Sequence, residues 1–155
     1  MARPAGTAPR PVLALLVVLL SALPWNQRGA VSADPLQTNR YLEVEILSHL
    51  FMESGGGQWK NATNWVDAEA DVCSWHGVDC YGAMDDPSFV FKAYERAGFV
   101  RSLDLSSNRL AGRVPESIWD MPYLEELKLR DNPDLTVTFE NVGKAKHLKN
   151  MVLSN

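Results

Sequence analysis

The feature that most constrains this chain is a repeat of fixed length. Leu103-Asp104-Leu105-Ser106-Ser107-Asn108 is answered 24 positions later by Leu127-Lys128-Leu129-Arg130-Asp131-Asn132. Met151-Val152-Leu153-Ser154-Asn155 follows after 24 more, and the lead-in residues Val100, Leu124 and Leu148 keep the same step. A chain that repeats at this interval builds stacked coils, because one coil alone cannot bury its apolar side. Leu103 and Leu105 stand two apart on a strand, so both face one side, which becomes the shared interior. Asp104 faces the other way. Asn108 comes where the chain leaves the strand, and its amide can pair backbone groups that burial would otherwise strand.

A period in the twenties with the form LxxLxLxxN is the sign of a leucine-rich-repeat solenoid. The expected class is therefore α/β, with one short parallel strand per coil. Leu110-Ala111-Gly112-Arg113-Val114-Pro115 is expected to turn the chain outward through its Gly and Pro. Ile118, Met121 and Leu124 then return apolar contacts to the core. The second coil lacks that Gly and Pro, and Val137 and Phe139 read as extended backbone. Residues 100–155 thus hold two repeats and part of a third. The third asparagine is due at position 156, one beyond the last residue, so the sequence reads as a fragment.

Residues 1–33 stand apart. Arg3 and Arg10 precede a run from Val12 to Leu20 that is wholly apolar. That run falls short of the roughly 20 residues a membrane span needs. It suits a secretory signal peptide cut after Ala33, with Ala22 as the alternative site and an uncleaved anchor as the competing reading. Removal takes Arg3, Arg10 and Arg28 and no acid, so the net charge moves from −4 to −7. An acidic exported chain is a poor partner for nucleic acid. Membrane attachment would need an uncleaved signal or a segment outside this chain.

Residues 34–99 read as a cap on the first coil. Asp34-Pro35-Leu36-Gln37 is a helix start of the capping-box kind. Leu42, Ile46 and Leu50, widened by Leu47 and Phe51, form a stripe that must lie on something apolar. Gly55-Gly56-Gly57 ends the helix. Trp59, Trp65 and Trp75 follow, read as packing of a small cap, with a ligand platform as the alternative.

Here a family resemblance becomes specific. Gly57-x-Trp59, Trp65 and Cys73-x-Trp75-x-Gly77-Val78-x-Cys80, followed by LxLxxN repeats, resemble the amino-terminal cap of plant-type leucine-rich-repeat proteins. That family includes receptor-like kinase ectodomains and polygalacturonase-inhibiting proteins. The resemblance spans about Leu36 to Asn155. It implies a Cys73–Cys80 disulfide, and two close cysteines behind a signal peptide agree with an oxidising compartment. Such a bridge is worth roughly 2–3 kcal/mol by chain entropy. The rival, a metal site of Cys73, His76 and Cys80, fits no usual zinc spacing. Asn61-Ala62-Thr63 is a glycosylation sequon, with Asn61 the acceptor. Tyr81 to Phe99 is longer than the family's usual connection, with a short helix expected over Ser88 to Ala97. It reads as a packed insertion, with a ligand loop as the alternative.

No catalytic, cofactor-binding or metal constellation is evident. His49, His76 and His147 lie in separate settings. Glu125 and Glu126, adjacent on a strand, are expected to face opposite sides and so not to flank one bond. The predicted function is extracellular recognition of a protein or peptide, in a receptor-like protein or, alternatively, a secreted inhibitor or wall protein. The candidate concave face is Ser102, Asp104, Ser106, Glu126, Lys128, Arg130, Asn150, Val152 and Ser154. Strands about 4.8 Å apart are expected to bring Asp104 beside Lys128, as a ligand contact or merely a surface ion pair.

Overall fold

The computed structural model describes residues 35–82 and 96–154. The signal-peptide and Asp34 expectations, and nearly all of the Ser88–Ala97 helix, lie outside that range. Helix α1 is Pro35–Glu53. Six short strands follow: β1 Val78–Cys80, β2 Val100–Asp104, β3 Ala111–Arg113, β4 Glu126–Lys128, β5 Asp134–Thr136 and β6 Asn150–Val152.

The 24-residue step is realised in space. β2, β4 and β6 lie side by side and parallel, with Leu103 opposite Leu127 and Leu127 opposite Met151. Leu103, Leu105, Leu127 and Leu129 are all buried. Burying one such side chain is worth about 1.5–3 kcal/mol, so the stacked leucines hold the coils together. On the return path Ile118, Trp119, Met121 and Leu124 close the same core. The ladder outlasts the strands: Leu105 N–H donates to Lys128 O at 2.9 Å and Ser107 N–H to Arg130 O at 2.8 Å.

The cap covers the first end of this stack. Ile46, Leu47 and Leu50 join the core, whereas Leu42 remains 37% exposed and Glu43 is fully buried. The stripe is therefore turned from the expected centre, to 43, 46, 47 and 50. Glu43 belongs there because its two carboxylate oxygens each accept the Val100 N–H at 3.2 Å, at the start of β2. One turn earlier, Arg40 donates to Ala97 O at 2.6 Å. After the helix Gly55 takes a left-handed turn at φ 70°, a conformation glycine reaches without steric cost.

Trp59, Trp65 and Trp75 are buried, with Phe51 among them: ring centroids are 4.7 Å apart for Trp59–Trp65 and 5.0 Å for Trp65–Trp75. They build the cap interior and are not a platform. Cys73 and Cys80 form a disulfide with Cα atoms 5.6 Å apart. The bridge ties the aromatic loop to β1, which the sequence did not reveal as a strand. β1 pairs antiparallel with β2, placing Asp79 opposite Ser102.

A second correction concerns Leu110–Pro115. It does not simply turn outward: Ala111–Arg113 forms β3, which pairs parallel with β5 in a separate two-stranded sheet. Val137 and Phe139, expected to be extended, lie beyond the strand, which is confined to Asp134–Thr136. Gly112 sits at φ 106°, and a Cβ there would meet Glu53 O at 2.4 Å.

Candidate functional site

The exposed side of the four-stranded sheet is built from two register rows. Asp79, Ser102, Glu126 and Asn150 lie opposite one another across β1, β2, β4 and β6. Asp104, Lys128 and Val152 form the next row. Directly opposed residues on a sheet share a face, so seven side chains present a strip with three acids and one lysine.

Glu126 organises the strip. Its Oε2 accepts from Ser102 Oγ at 3.3 Å and pairs with Lys128 Nζ at 2.9 Å, while Oε1 accepts from Asn150 Nδ2 at 3.2 Å. Hydrogen bonds from Lys128 and Asn150 hold its carboxyl below the usual range, and the same contact with Glu126 raises Lys128. Asp104 stands beside Lys128 as the period required. Their expected mutual ion pair gives way to a different arrangement, in which Lys128 turns to Glu126 and Asp104 accepts the Ser106 N–H at 3.1 Å. A backbone donor two residues on costs Asp104 less ordering than a long lysine would.

Ser106, Arg130 and Ser154 lie past the strand ends. Arg130 pairs with its neighbour Asp131 at 3.2 Å, and Asp131 accepts from Ser107 Oγ at 3.1 Å. These residues thus form a mixed-charge margin to the strip.

The opposite margin carries two ladders that the sequence reading passed over. Phe99, Tyr123 and His147 repeat every 24 residues, one place before Val100, Leu124 and Leu148. Their rings follow one another at 5.0 Å and 5.5 Å. Guanidinium groups lie against this ladder, Arg40 5.5 Å from Phe99 and Arg96 5.2 Å from Tyr123. Such cation–π contacts are worth about 0.5–2 kcal/mol each. Beside it Arg101, Glu125 and Lys149, also 24 apart, alternate in charge: Glu125 pairs with Arg101 at 3.6 Å and with Lys149 at 2.5 Å. Burial works to raise the Glu125 carboxyl, but Lys149 and the Tyr81 hydroxyl overcome it and hold the carboxyl down. Tyr81 itself is pushed up to about 12, by burial first and by Glu125 next.

Glu125 and Glu126 nonetheless line one hollow of about 300 Å³, together with Asp79, Arg101, Ser102 and Lys149. Glu125 precedes β4, where strict strand alternation does not apply. Both carboxylates are already bound by cations, so neither is poised as a general acid or base. Among the described residues no group of three or more His, Cys, Asp or Glu is arranged to hold a metal ion, and the Cys73–His76–Cys80 alternative is superseded by the disulfide.

The nine predicted face residues thus separate into six on the strands and three at their ends. Asp79 completes the face. It was missed because β1 lies outside the repeat, and an antiparallel pairing to the cap leaves no periodic trace.

No protein-family profile matches the chain. It is 30% identical over 89 residues to polygalacturonase inhibitor 1 of Arabidopsis thaliana, covering 57% of this chain and 24% of that protein. It is 31% identical over 85 residues to the polygalacturonase inhibitor of Vitis vinifera, covering 54% and 22%. The matched region therefore spans less than a quarter of these relatives. In three dimensions it superposes on the crystal structure of the BIR2 ectodomain from Arabidopsis thaliana with a TM-score of 0.51 and 19% identity, covering 73% of this chain and 54% of that one. At that identity the likeness concerns the fold. Sequence and fold point the same way: over its cap and first coils the chain resembles the plant-type leucine-rich-repeat proteins.

Proposed function

We propose that this chain is an extracellular recognition module, a solenoid of leucine-rich coils that binds a protein or peptide ligand on its concave strip. The observation that carries this reading is the in-register row Asp79–Ser102–Glu126–Asn150. From Ser102 to Asn150 the row is held by hydrogen bonds between side chains of different coils, so that part of the surface is ordered before any ligand arrives. Preorganised polar groups bind at a lower ordering cost than free ones. A standard interface buries roughly 800 Å² per partner, so a ligand would also engage the flanking ladders.

Two forms of this function differ in what the ligand is. A receptor-like protein would sense a peptide or partner, and likeness to an ectodomain fold supports that form. A secreted inhibitor would block an enzyme, and the curated relatives, all named polygalacturonase inhibitors, favour it. A polygalacturonase is therefore the probe to use first. The secreted chain is mixed with an endopolygalacturonase, and both binding and pectate hydrolysis are followed. The inhibitor form predicts slower hydrolysis, relieved by Ser102→Trp, which places a large ring at the centre of the row. Unchanged hydrolysis and no binding would reject that form. Binding that Ser102→Trp leaves intact would reject the concave strip as the contact.

A further inference from the structure

Helix α1 is apolar on two sides. Successive residues turn by about 100°, so Glu43, Ile46, Leu47 and Leu50 fall together, and all four are buried. On the far side Tyr41, Ser48 and Met52 form a crest, with Val44 on one flank and Glu45 and His49 on the other. Tyr41 is 69% exposed, Met52 64% and Val44 39%. A surface helix ordinarily turns polar and charged residues outward. This crest instead leaves a tyrosine, a valine and a methionine uncovered among the described residues.

Which partner fits the face follows from the order of its residues. The outer set is symmetric about the midpoint between Ile46 and Leu47: Tyr41 and Met52, Val44 and His49, and Glu45 and Ser48 are equidistant from it. A second α1 laid antiparallel on this face is related to the first by one twofold axis at that midpoint, the commonest symmetry of paired chains. Each Tyr41 then comes level with Met52 of the second copy, at both ends of the contact. A thioether sulfur packs favourably against an aromatic ring. The twofold axis keeps each flank on its own side. Glu45 therefore meets His49 of the second copy, displaced by about 1.5 Å along the helix, and Val44 meets Ser48 of the second copy. Helical side chains lean toward their own amino terminus, which parts the two Glu45 carboxylates and carries each toward an imidazole. Ser48, close to the axis, is small. Its hydroxyl already donates to Val44 O at 2.7 Å, so covering it leaves that group paired.

We propose that two copies of this chain pair through the outer face of α1, antiparallel about the midpoint between Ile46 and Leu47. The contact lies apart from the concave strip and adds to the recognition reading without resting on it. It is isologous, so it closes on two copies and does not propagate. A face about 28 Å long and about 10 Å wide is smaller than the roughly 800 Å² per partner of a standard interface. The pair is therefore weak, and it adds nothing measurable to the thermal stability of a dilute sample.

The test uses the secreted full chain. In sedimentation equilibrium, taken up to several hundred micromolar, the weight-average mass should rise toward twice that of the monomer. Tyr41→Glu should hold it at the monomer while keeping the wild-type melting curve. Register is read separately, by oxidising single-cysteine variants. Tyr41→Cys mixed with Met52→Cys should crosslink several-fold faster than either variant alone, because like positions lie about 16 Å apart along the paired helices. Equal rates in mixed and unmixed samples overturn the antiparallel register. A mass that rises as much in Tyr41→Glu places the association elsewhere and overturns the proposal. A monomeric mass at every concentration overturns it too, and peroxide then tells why. Met52 oxidising as slowly as the buried Met121 means that another part of the same chain covers the face, and fast oxidation means that the face is bare. None of these variants touches the concave strip, so failure here leaves the polygalacturonase result standing on its own.

Discussion

Asn108 grips Asn61 across 47 residues, its side-chain amide closing both backbone polar groups of the cap residue, N–H at 2.7 Å and C=O at 2.9 Å. One coil on, Asn132 performs a related service within the stack. Its Oδ1 accepts from Asn108 N and Leu110 N, and its Nδ2 donates to the carbonyls of Leu105 and Leu129. The same repeat residue therefore binds coil to coil in one place and coil to cap in the other. Asn108→Ala should leave two backbone groups of Asn61 without partners. Since an unpaired buried group costs about 1–3 kcal/mol, the urea midpoint should fall by an amount equivalent to about 2–4 kcal/mol. A midpoint unchanged within error would mean the cap is held without this contact.

Glu43 gives the cap a pH dependence of definite sign. Burial pushes its carboxyl up to about 8 from an ordinary 4.5, against the smaller opposing effects of the Val100 N–H and Arg40. Below pH 4.5 the group is protonated in both folded and unfolded chains, and its contribution is complete. As pH rises from 4.5 through 8 the unfolded chain ionises while the folded one resists, so stability is progressively lost. The total is on the order of a few kcal/mol. Glu43→Gln, which keeps an oxygen for Val100 N–H, should remove this slope. Denaturant titrations at pH 5, 7 and 8.5 check it, and parallel slopes for wild type and variant would contradict it.

Leu127 meets Leu103 on one side and Met151 on the other, with no exposed surface. Leu127→Ala should cost about 2–5 kcal/mol. Tyr41 on the outer side of α1 is 69% exposed, and Tyr41→Ala should change stability by less than about 0.5 kcal/mol. Thermal melts of the two variants, run side by side, report the contrast.

Gly112 is required twice over, by its φ of 106° and by the approach of Glu53 O to 2.4 Å of a would-be Cβ. Gly112→Ala should push β3 away from the end of α1 and break the Arg113–Glu53 contact, now 2.6 Å. Strain of this kind costs on the order of 1–3 kcal/mol. A Tm equal to wild type would show that the backbone relaxes freely here.

Reducing the Cys73–Cys80 bridge frees the loop that carries Trp75 from β1. The expected loss is roughly 2–3 kcal/mol, seen as a lower Tm with reductant and, as Asp79 is released from its place opposite Ser102, as weaker ligand binding. Binding unaffected by reductant would separate Asp79 from the recognition row.

The sequence by itself determined whatever the 24-residue period touches: the parallel register of Leu103, Leu127 and Met151, the role of the repeat asparagines and most of the exposed strip. Periodicity is legible because identical environments select identical residue types. The pairing of Cys73 with Cys80 was legible through the resemblance. Tertiary structure alone decided the antiparallel β1 and with it Asp79, the small β3–β5 sheet, the burial of Glu43 and the turn of Lys128 from Asp104 to Glu126. Each of these depends on which groups a single, unrepeated contact leaves in need of a partner, and a contact made once leaves no period in the chain to read.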